Sequence, residues 1–240
     1  MSAWLDAWNG DQSLYVNDRH RRCHYSAMAE EIIALLPPGA RRVLDYGPGE
    51  ALSAGRVAEA CEEVILCEAA DTMRAALAGR YAGHPGVTVI GPDGLARLAD
   101  RSVDLVVVHS VVQYLSADEL DVLLREAHRL LAPCGRLVLS DLVPPGAGLL
   151  SDAVELLRFG FRSGFLVAAV VSLARTAFSP YSRARRRRGL TRLSERQMAG
   201  LARQARLTGR RLPANLGNNR TRWAFLAHRA DTTAGAGRVE

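Results

Sequence analysis

The chain of 240 residues carries 31 arginines, no lysine and 25 acids, for a net charge of +6. With 48% apolar residues and a mean hydropathy of −0.02, it fits a soluble globular protein large enough for one α/β domain with additions. Cys23, Cys61, Cys67 and Cys134 form no Cys-x-x-Cys pair and no His/Cys cluster stands at zinc spacing, so a zinc module is excluded and reduced thiols in a cytoplasm are the simplest account.

The first residues, Met1 to Asp6, lack a basic start followed by an apolar stretch, so no secretory signal is read and a cytoplasmic location is expected. The charge is segregated along the chain. Residues 1–145 hold 13 arginines against 20 acids, net −7, and residues 146–240 hold 18 against 5, net +13. A basic C-terminal part points to an anionic neighbour: lipid head groups, nucleic acid or an acidic substrate.

Residues 1–36 carry Trp4, Trp8, Tyr15, His20, His24 and Tyr25. A predicted helix from Ser26 to Leu36 follows, stopped by Pro37-Pro38, and the whole is expected to form a helical cap. His20 and His24, four apart, would share a helix face; alternatively they join Arg19, Arg21 and Arg22 in a solvated basic face. Next comes Arg42-Val43-Leu44-Asp45-Tyr46-Gly47-Pro48-Gly49-Glu50-Ala51. It reads as a buried parallel strand, a tight turn, and the start of a helix over Ala51–Cys61 whose N-terminus faces a ligand. Gly47 and Gly49 let the main chain bend sharply and let a ligand reach its N–H groups. Val64-Ile65-Leu66-Cys67-Glu68 is a second apolar strand, again ending in an acid. An acid about twenty residues after the turn can take both hydrogen bonds of a ribose diol, so a nucleoside-containing cofactor is expected across the two strand ends. The dinucleotide fingerprint needs a packing glycine at its sixth position. Counted from Gly47, that position is Leu52, which tells against nicotinamide or flavin.

Asp71 to Leu77 reads as an N-capped helix, and Val87-Thr88-Val89-Ile90 as a third strand followed by Gly91-Pro92-Asp93-Gly94-Leu95. Val103 to Val108 is apolar except for Asp104, as in a strand covered on both faces, and runs into His109-Ser110-Val111-Val112-Gln113-Tyr114-Leu115. A helix over Ala117–Leu131, N-capped by Ser116, carries Leu120, Leu123, Leu124, Ala127, Leu130 and Leu131 on one stripe. Pro133-Cys134-Gly135 then turns into a fifth strand, Arg136–Asp141.

Three of these features carry a resemblance. Asp45-x-Gly47-x-Gly49-x-Ala51 resembles motif I of the class I S-adenosylmethionine-dependent methyltransferases, with alanine for the third glycine. The segment from His109 is similar to their strand-four motif, and Leu130-Leu131-x-Pro133-x-Gly135-x-Leu137-Val138 to the entry of their fifth strand. The likeness runs in order from about residue 40 to 142. It implies an α/β, Rossmann-like, doubly wound seven-stranded sheet, mostly parallel with a C-terminal antiparallel strand. It implies S-adenosylmethionine as cofactor and S-adenosylhomocysteine as product. Asp45, Gly47, Pro48 and Gly49 would organise the amino-acid end of the cofactor, Glu68 and Ala69 its ribose, and Asp93 with Gly94 its adenine; the alternative is that Asp93 only shapes a Pro-Asp-Gly turn. His109 and Ser110 would lie beside the methionine part and the transferring methyl. The N-terminal cap would cover the cofactor, making His109, His24 and Tyr25 the candidates for substrate activation, although a histidine at a strand end also serves as a packing or cofactor contact.

Residues 37–230 are thus expected to form the methyltransferase domain, with a helical insertion at 146–190 and a mobile tail at 231–240. The insertion has twelve uncharged residues between Arg162 and Arg175, about 18 Å of helix, against roughly 30 Å of bilayer core. It reads as a lid over an apolar substrate, a homodimer interface, a membrane-surface helix or a solvated loop between helices. Arg183, Arg185, Arg186, Arg187 and Arg188 follow and suit anionic lipid, so peripheral contact through 149–188 is a candidate. Ser194 caps a helix over Glu195–Ala205, and two strands, Thr208–Leu212 and Arg222–Ala227, flank an Asn-rich loop. An apolar small-molecule acceptor, methylated on oxygen or carbon, is the leading expectation. The alternative is an RNA-directed methyltransferase drawn to its substrate by the arginine block, in which methylation of exocyclic base amines is disfavoured because no Asn/Asp-Pro-Pro-aromatic follows strand four while other positions stay open. A SAM-binding or membrane-surface protein without turnover is the third reading, and no metal is called for.

Overall fold

The computed structural model describes residues 17–177, 189–217 and 219–231. Residues 1–16 of the predicted cap, the arginines at 183 and 185–188, and the predicted tail beyond Asp231 lie outside the described residues. The described residues form seven strands: β1 (Arg42–Tyr46), β2 (Glu63–Cys67), β3 (Val87–Ile90), β4 (Val103–His109), β5 (Leu131–Leu142), β6 (Leu207–Arg211) and β7 (Trp223–Arg229). The helices are α1 (Asp18–Leu35), α2 (Ala54–Ala58), α3 (Asp71–Arg80), α4 (Ala117–Leu130), α5 (Leu149–Ser163), α6 (Leu166–Ala177) and α7 (Glu195–Gln204). The strands form one sheet in the order β3-β2-β1-β4-β5-β7-β6. β1 to β5 pair in parallel, and β7 runs antiparallel to β5 and β6, the mostly parallel doubly wound sheet expected.

Successive strand residues point to opposite faces. Val43, Val64, Leu105 and Val107 therefore pack with Met28, Ile32, Val57 and Leu77, while Leu44, Ile65, Val106 and Val108 pack with Leu120, Leu124 and Met198. In α4 the leucines at 120, 123, 124 and 130 are all buried. Each contributes roughly 1.5–3 kcal/mol of burial, several times the ~1 kcal/mol of a helix cap. The stripe therefore decides that α4 docks on the sheet, and the Ser116–Glu119 capping box decides where it begins.

The winding reverses beside β1. β2 and β3 build outward on one side and β4 and β5 on the other, so the loops leaving β1 and β4 diverge and open a crevice at the C-terminal strand ends.

Three boundaries differ from the sequence expectation. α1 begins at Asp18 rather than Ser26, because Asn17 accepts the His20 N–H at 2.9 Å and caps the helix early; its first turns face the crevice and so lack an apolar stripe. The helix after the glycine turn is Ala54–Ala58 rather than Ala51–Cys61, since Ala51 is left-handed (φ 43°) and cannot start it. The fifth strand is continuous from Leu131, with its pairing to β4 shifting register between Val103 and Leu105 where the Pro133–Gly135 turn was expected. The insertion is a helical hairpin, α5 and α6, turning at Gly164 (φ 75°). No helix among the described residues is long and apolar enough to cross a membrane.

Replacing Ser116 by Ala removes the α4 cap and is expected to cost about 1 kcal/mol, lowering the thermal midpoint by about 2–4 °C. An unchanged melting curve would show that the cap adds nothing to the stripe.

Candidate active site

The crevice holds a cavity of about 770 Å³ whose wall includes Asp45, Gly47, Pro48, Gly49, Glu68, Ala69, His109, Ser110, His24 and Tyr25. Ten of the predicted site residues thus meet at one place. The glycine turn enters it under tension from three sides. Gly47 (φ 71°) donates its N–H to the Cys67 carbonyl at 2.9 Å, tying the turn to β2. From α1, the Tyr25 hydroxyl accepts the Glu50 N–H at 2.8 Å and Arg21 reaches the Glu50 carboxylate at 3.1 Å. At the end of α3, the Tyr81 hydroxyl accepts the Ala54 N–H at 3.2 Å and donates to the Ala51 carbonyl, and Arg80 donates to the Glu50 carbonyl. These contacts hold Ala51 in the left-handed conformation that its β-carbon disfavours.

The two strand-end acids have different surroundings. Glu68 accepts the Ala70 N–H at 2.8 Å, and the amides of Ala69 and Gly49 also bond its carboxylate, yet burial outweighs them and raises its pKa. Asp45 is pushed up to about 7, first by burial and then by the charge of Glu68. No hydrogen bond to its carboxylate is formed by the described residues, which leaves an acceptor in the wall for a donor or cation to satisfy.

The other half of the cavity is built where β4 and β5 end. His109 Nδ1 lies 2.9 Å from Ser140 Oγ, Ser110 donates to Asp141 at 2.7 Å, and Asp141 donates its N–H to Asn215 at 2.9 Å. Ser110 (φ 57°) and Asp141 (φ 62°) are both left-handed, local strain of the sort that collects at working sites. The β6–β7 loop folds back over this corner. A β-carbon on Gly217 would sit 3.4 Å from His109 Cε1, and the Gly217 N–H donates to Glu31 of α1 at 2.6 Å. The His24 ring lies 5.7 Å from that of His109. Burial lowers His109 and His20 to about 4, and burial with the nearby His109 and His20 lowers His24 to about 3. All three are neutral at pH 7 and weak as proton acceptors.

Tyr25, expected on the substrate side, has its hydroxyl on the glycine turn instead. Asp93 and Gly94 do not line the cavity. Asp93 sits in a 3-10 turn, Pro92–Arg97, and a β-carbon on Gly94 would lie 2.9 Å from Ile90 Cβ, so this loop folds back on its own strand. Arg74 intervenes, bonding the Glu68 carbonyl at 2.9 Å and packing 3.4 Å from the β-carbon position of Gly91. Sequence reasoning missed Arg21, Tyr81, Ser140, Asn219 and Asp141. Of these only Asp141 left a signal, an acid closing an apolar strand as Asp45 and Glu68 do; the others depend on which helices and loops converge.

Residues 44–139 match a family model described as a methyltransferase domain. No curated protein matches the chain. Among solved structures it is similar to the mitomycin 7-O-methyltransferase MmcR, with a TM-score of 0.57 and 17% identity over 87% of this chain and 54% of that one, so it spans about half that protein's length. The pyocyanin biosynthetic protein PhzM gives 0.56 and 13% over 85% and 55%. The magnesium protoporphyrin IX methyltransferase ChlM of Synechocystis PCC 6803, with bound SAH, gives 0.56 and 17% over 95% and 93%. At such identities the likeness speaks to the fold. The donor set fits S-adenosylmethionine, the cofactor that the sequence resemblance implies: Asp45, a buried acid with no hydrogen-bond partner among the described residues, suits its ammonium, and Glu68 beside the glycine turn suits its ribose.

A β-carbon on Gly47 would fall 2.5 Å from Val111 Cγ2 at φ 71°. Gly47→Ala is therefore expected to cost at least the ~1–2 kcal/mol of a left-handed residue in urea unfolding. Val111→Ala in the same chain should restore the part due to the clash and leave the backbone part.

Proposed function

We propose that this chain is a class I, S-adenosylmethionine-dependent methyltransferase, a reading supported by the methyltransferase-domain match over residues 44–139, and that it transfers the cofactor's methyl group to an oxygen or carbon nucleophile of a small apolar acceptor bound against α1, β4 and β5. The observation that carries this reading is that one cavity is lined by the glycine turn, both strand-end acids and three histidines that burial keeps neutral. The bound sulfonium supplies an electrophilic methyl and a neutral leaving group. What remains for the chain is to hold acceptor and methyl in line and to exclude water. Asp45 takes the ammonium and Glu68 the ribose; the N–H groups of the glycine turn are already engaged by the Cys67 carbonyl, the Glu68 carboxylate, the Tyr25 hydroxyl and the Pro48 carbonyl, so the turn shapes the cavity wall instead of donating to the cofactor. Asp93 is left with its turn-shaping role.

His109 and His24 are read as hydrogen-bonding groups that orient the acceptor. Histidines held near pKa 3–4 are poor bases for a free hydroxyl, so a hydroxyl nucleophile should give up its proton only as the O–methyl bond forms, when the strongly acidic oxonium can pass it to an imidazole or to water. Tyr25 supports the turn. An acceptor of apolar character is favoured by Met28, Val111 and Leu115 in the wall.

Contact with an anionic membrane surface is part of the same reading. Val154, Phe161, Leu166, Val170 and Val171 are exposed on α5 and α6, five of the six large apolar residues exposed among the described ones. Arg158 and Arg162 are exposed beside them while Glu155 is buried, and the arginines from 183 to 188 follow in sequence. Such a face suits acyl chains flanked by head groups better than a second copy bearing the same positive charge.

Calorimetric titration should give binding of S-adenosylmethionine and S-adenosylhomocysteine and none of NAD; preference for NAD would end the reading. Glu68→Ala should weaken S-adenosylhomocysteine at least tenfold, the scale of losing one charge-assisted bond. With Asp45 at about 7 in the free protein, S-adenosylhomocysteine affinity should rise between pH 5 and 7, by at most about tenfold per unit, and level off above, because pairing with the ammonium requires the ionised carboxylate. Asp45→Asn should flatten that profile. For the membrane, the chain should float with phosphatidylglycerol vesicles and stay behind with phosphatidylcholine ones. Phe161→Asp and glutamine at the five arginines should each reduce flotation, and equal flotation of the variants would dismiss the contact.

A further inference from the structure

Around the acceptor half of the cavity the wall is made of rings. His20, His24, His109 and Tyr114 all contribute to it. His20 is held flat against Phe165, with centroids 4.9 Å apart and planes 16° from parallel, and Phe159 meets it edge-on at 5.3 Å. Phe159 and Phe165 brace one another at 5.2 Å. An imidazole clamped in this way is a rigid flat surface, and little rotamer freedom remains to be lost when another ring lies against it.

The charges of the cavity are divided unequally. Its two arginines, Arg21 and Arg80, both engage Glu50 on the cofactor side. The acceptor side has Asp141, bonded by Ser110, and imidazoles whose burial keeps them uncharged. A carboxylate entering here would lose its hydration, meet the charge of Asp141 and find no cation among the described residues lining this half. A neutral hydroxyl can bond to an imidazole in either role.

We propose that this half of the cavity is a subsite for an uncharged, planar aromatic ring system, with His20 as the wall on which the ring stacks. The proposal rests on the methyltransferase reading and narrows it: the acceptor is recognised by flatness and neutrality, and a saturated skeleton of equal size is discriminated against.

The test uses the full chain saturated with S-adenosylhomocysteine, whose own binding is measured first. Three probes of one skeleton are titrated: 2-naphthol by its fluorescence, and decahydro-2-naphthol and 2-naphthoate by displacement of it. 2-Naphthol is expected to bind about five- to tenfold more tightly than either competitor, the size of one aromatic stacking contact. His20→Leu should erase its advantage over decahydro-2-naphthol, and His20→Phe should keep it; a purely structural role for His20 would weaken both probes alike. Equal affinity for the saturated probe, tighter binding of 2-naphthoate, or no saturable 2-naphthol binding to a chain that binds S-adenosylhomocysteine would each overturn the subsite and leave the methyltransferase reading standing. A chain that binds no S-adenosylhomocysteine overturns both.

Discussion

Desolvated carboxylate at the reversal point of the sheet is the constraint on which this structure depends. Asp45 and Glu68 close β1 and β2 side by side, and burial raises the pKa of both. Glu68 is stabilised by amides that also fix the geometry around it, Gly49 from the glycine turn and Ala69 and Ala70 from the entry to α3. One carboxylate thereby fastens two loops together. Asp45 has no such amides among the described residues, and the sheet carries it as a group whose charge is stabilised only when a donor arrives. The left-handed residues Gly47, Gly49 and Ala51 are the backbone counterpart: the bend directs its N–H groups to the Cys67 carbonyl, the Glu68 carboxylate and the Tyr25 hydroxyl, and Tyr25, Tyr81 and Arg80 hold it from both flanking helices.

The same economy of contacts explains why α1 belongs to the site. It packs its apolar face, with Met28, Ala29 and Ile32, against the sheet, while its N-terminal turns present His20, Arg21, His24 and Tyr25 to the cavity. One helix therefore braces the glycine turn at Glu50 and forms a wall of the cavity. The β6–β7 loop completes the enclosure through Gly217 and Glu31. Closure by side-chain contacts between a helix and a loop, where backbone pairing plays no part, suits a site that has to admit and release ligands.

Much of this was legible in the chain, and the limits follow from physics. Strand identity came from apolar runs, and the position of the crevice from an acid and glycines directly after a strand, because backbone geometry and desolvation act locally. The Ser116 and Ser194 caps were legible for the same reason, as each is completed within three residues. The start of α1 was not, since its early turns face a cavity and lose the periodicity that burial imposes. The role given to Asp93 came from the family resemblance, and a place after the third strand does not reveal that Arg74 and Gly91 pack together beside that loop.

The sequence by itself determined the order of strands and helices, the glycine bend and the acids that close β1 and β2, because each is specified by residues adjacent in the chain. Only the tertiary structure decided that His24 meets His109, that Asp141 stands beside Ser110, and that Gly217 folds onto the same corner. Those neighbours lie from tens to nearly two hundred residues apart, and what brings them together is the burial of both faces of one sheet, a property of the whole chain that no local stretch encodes.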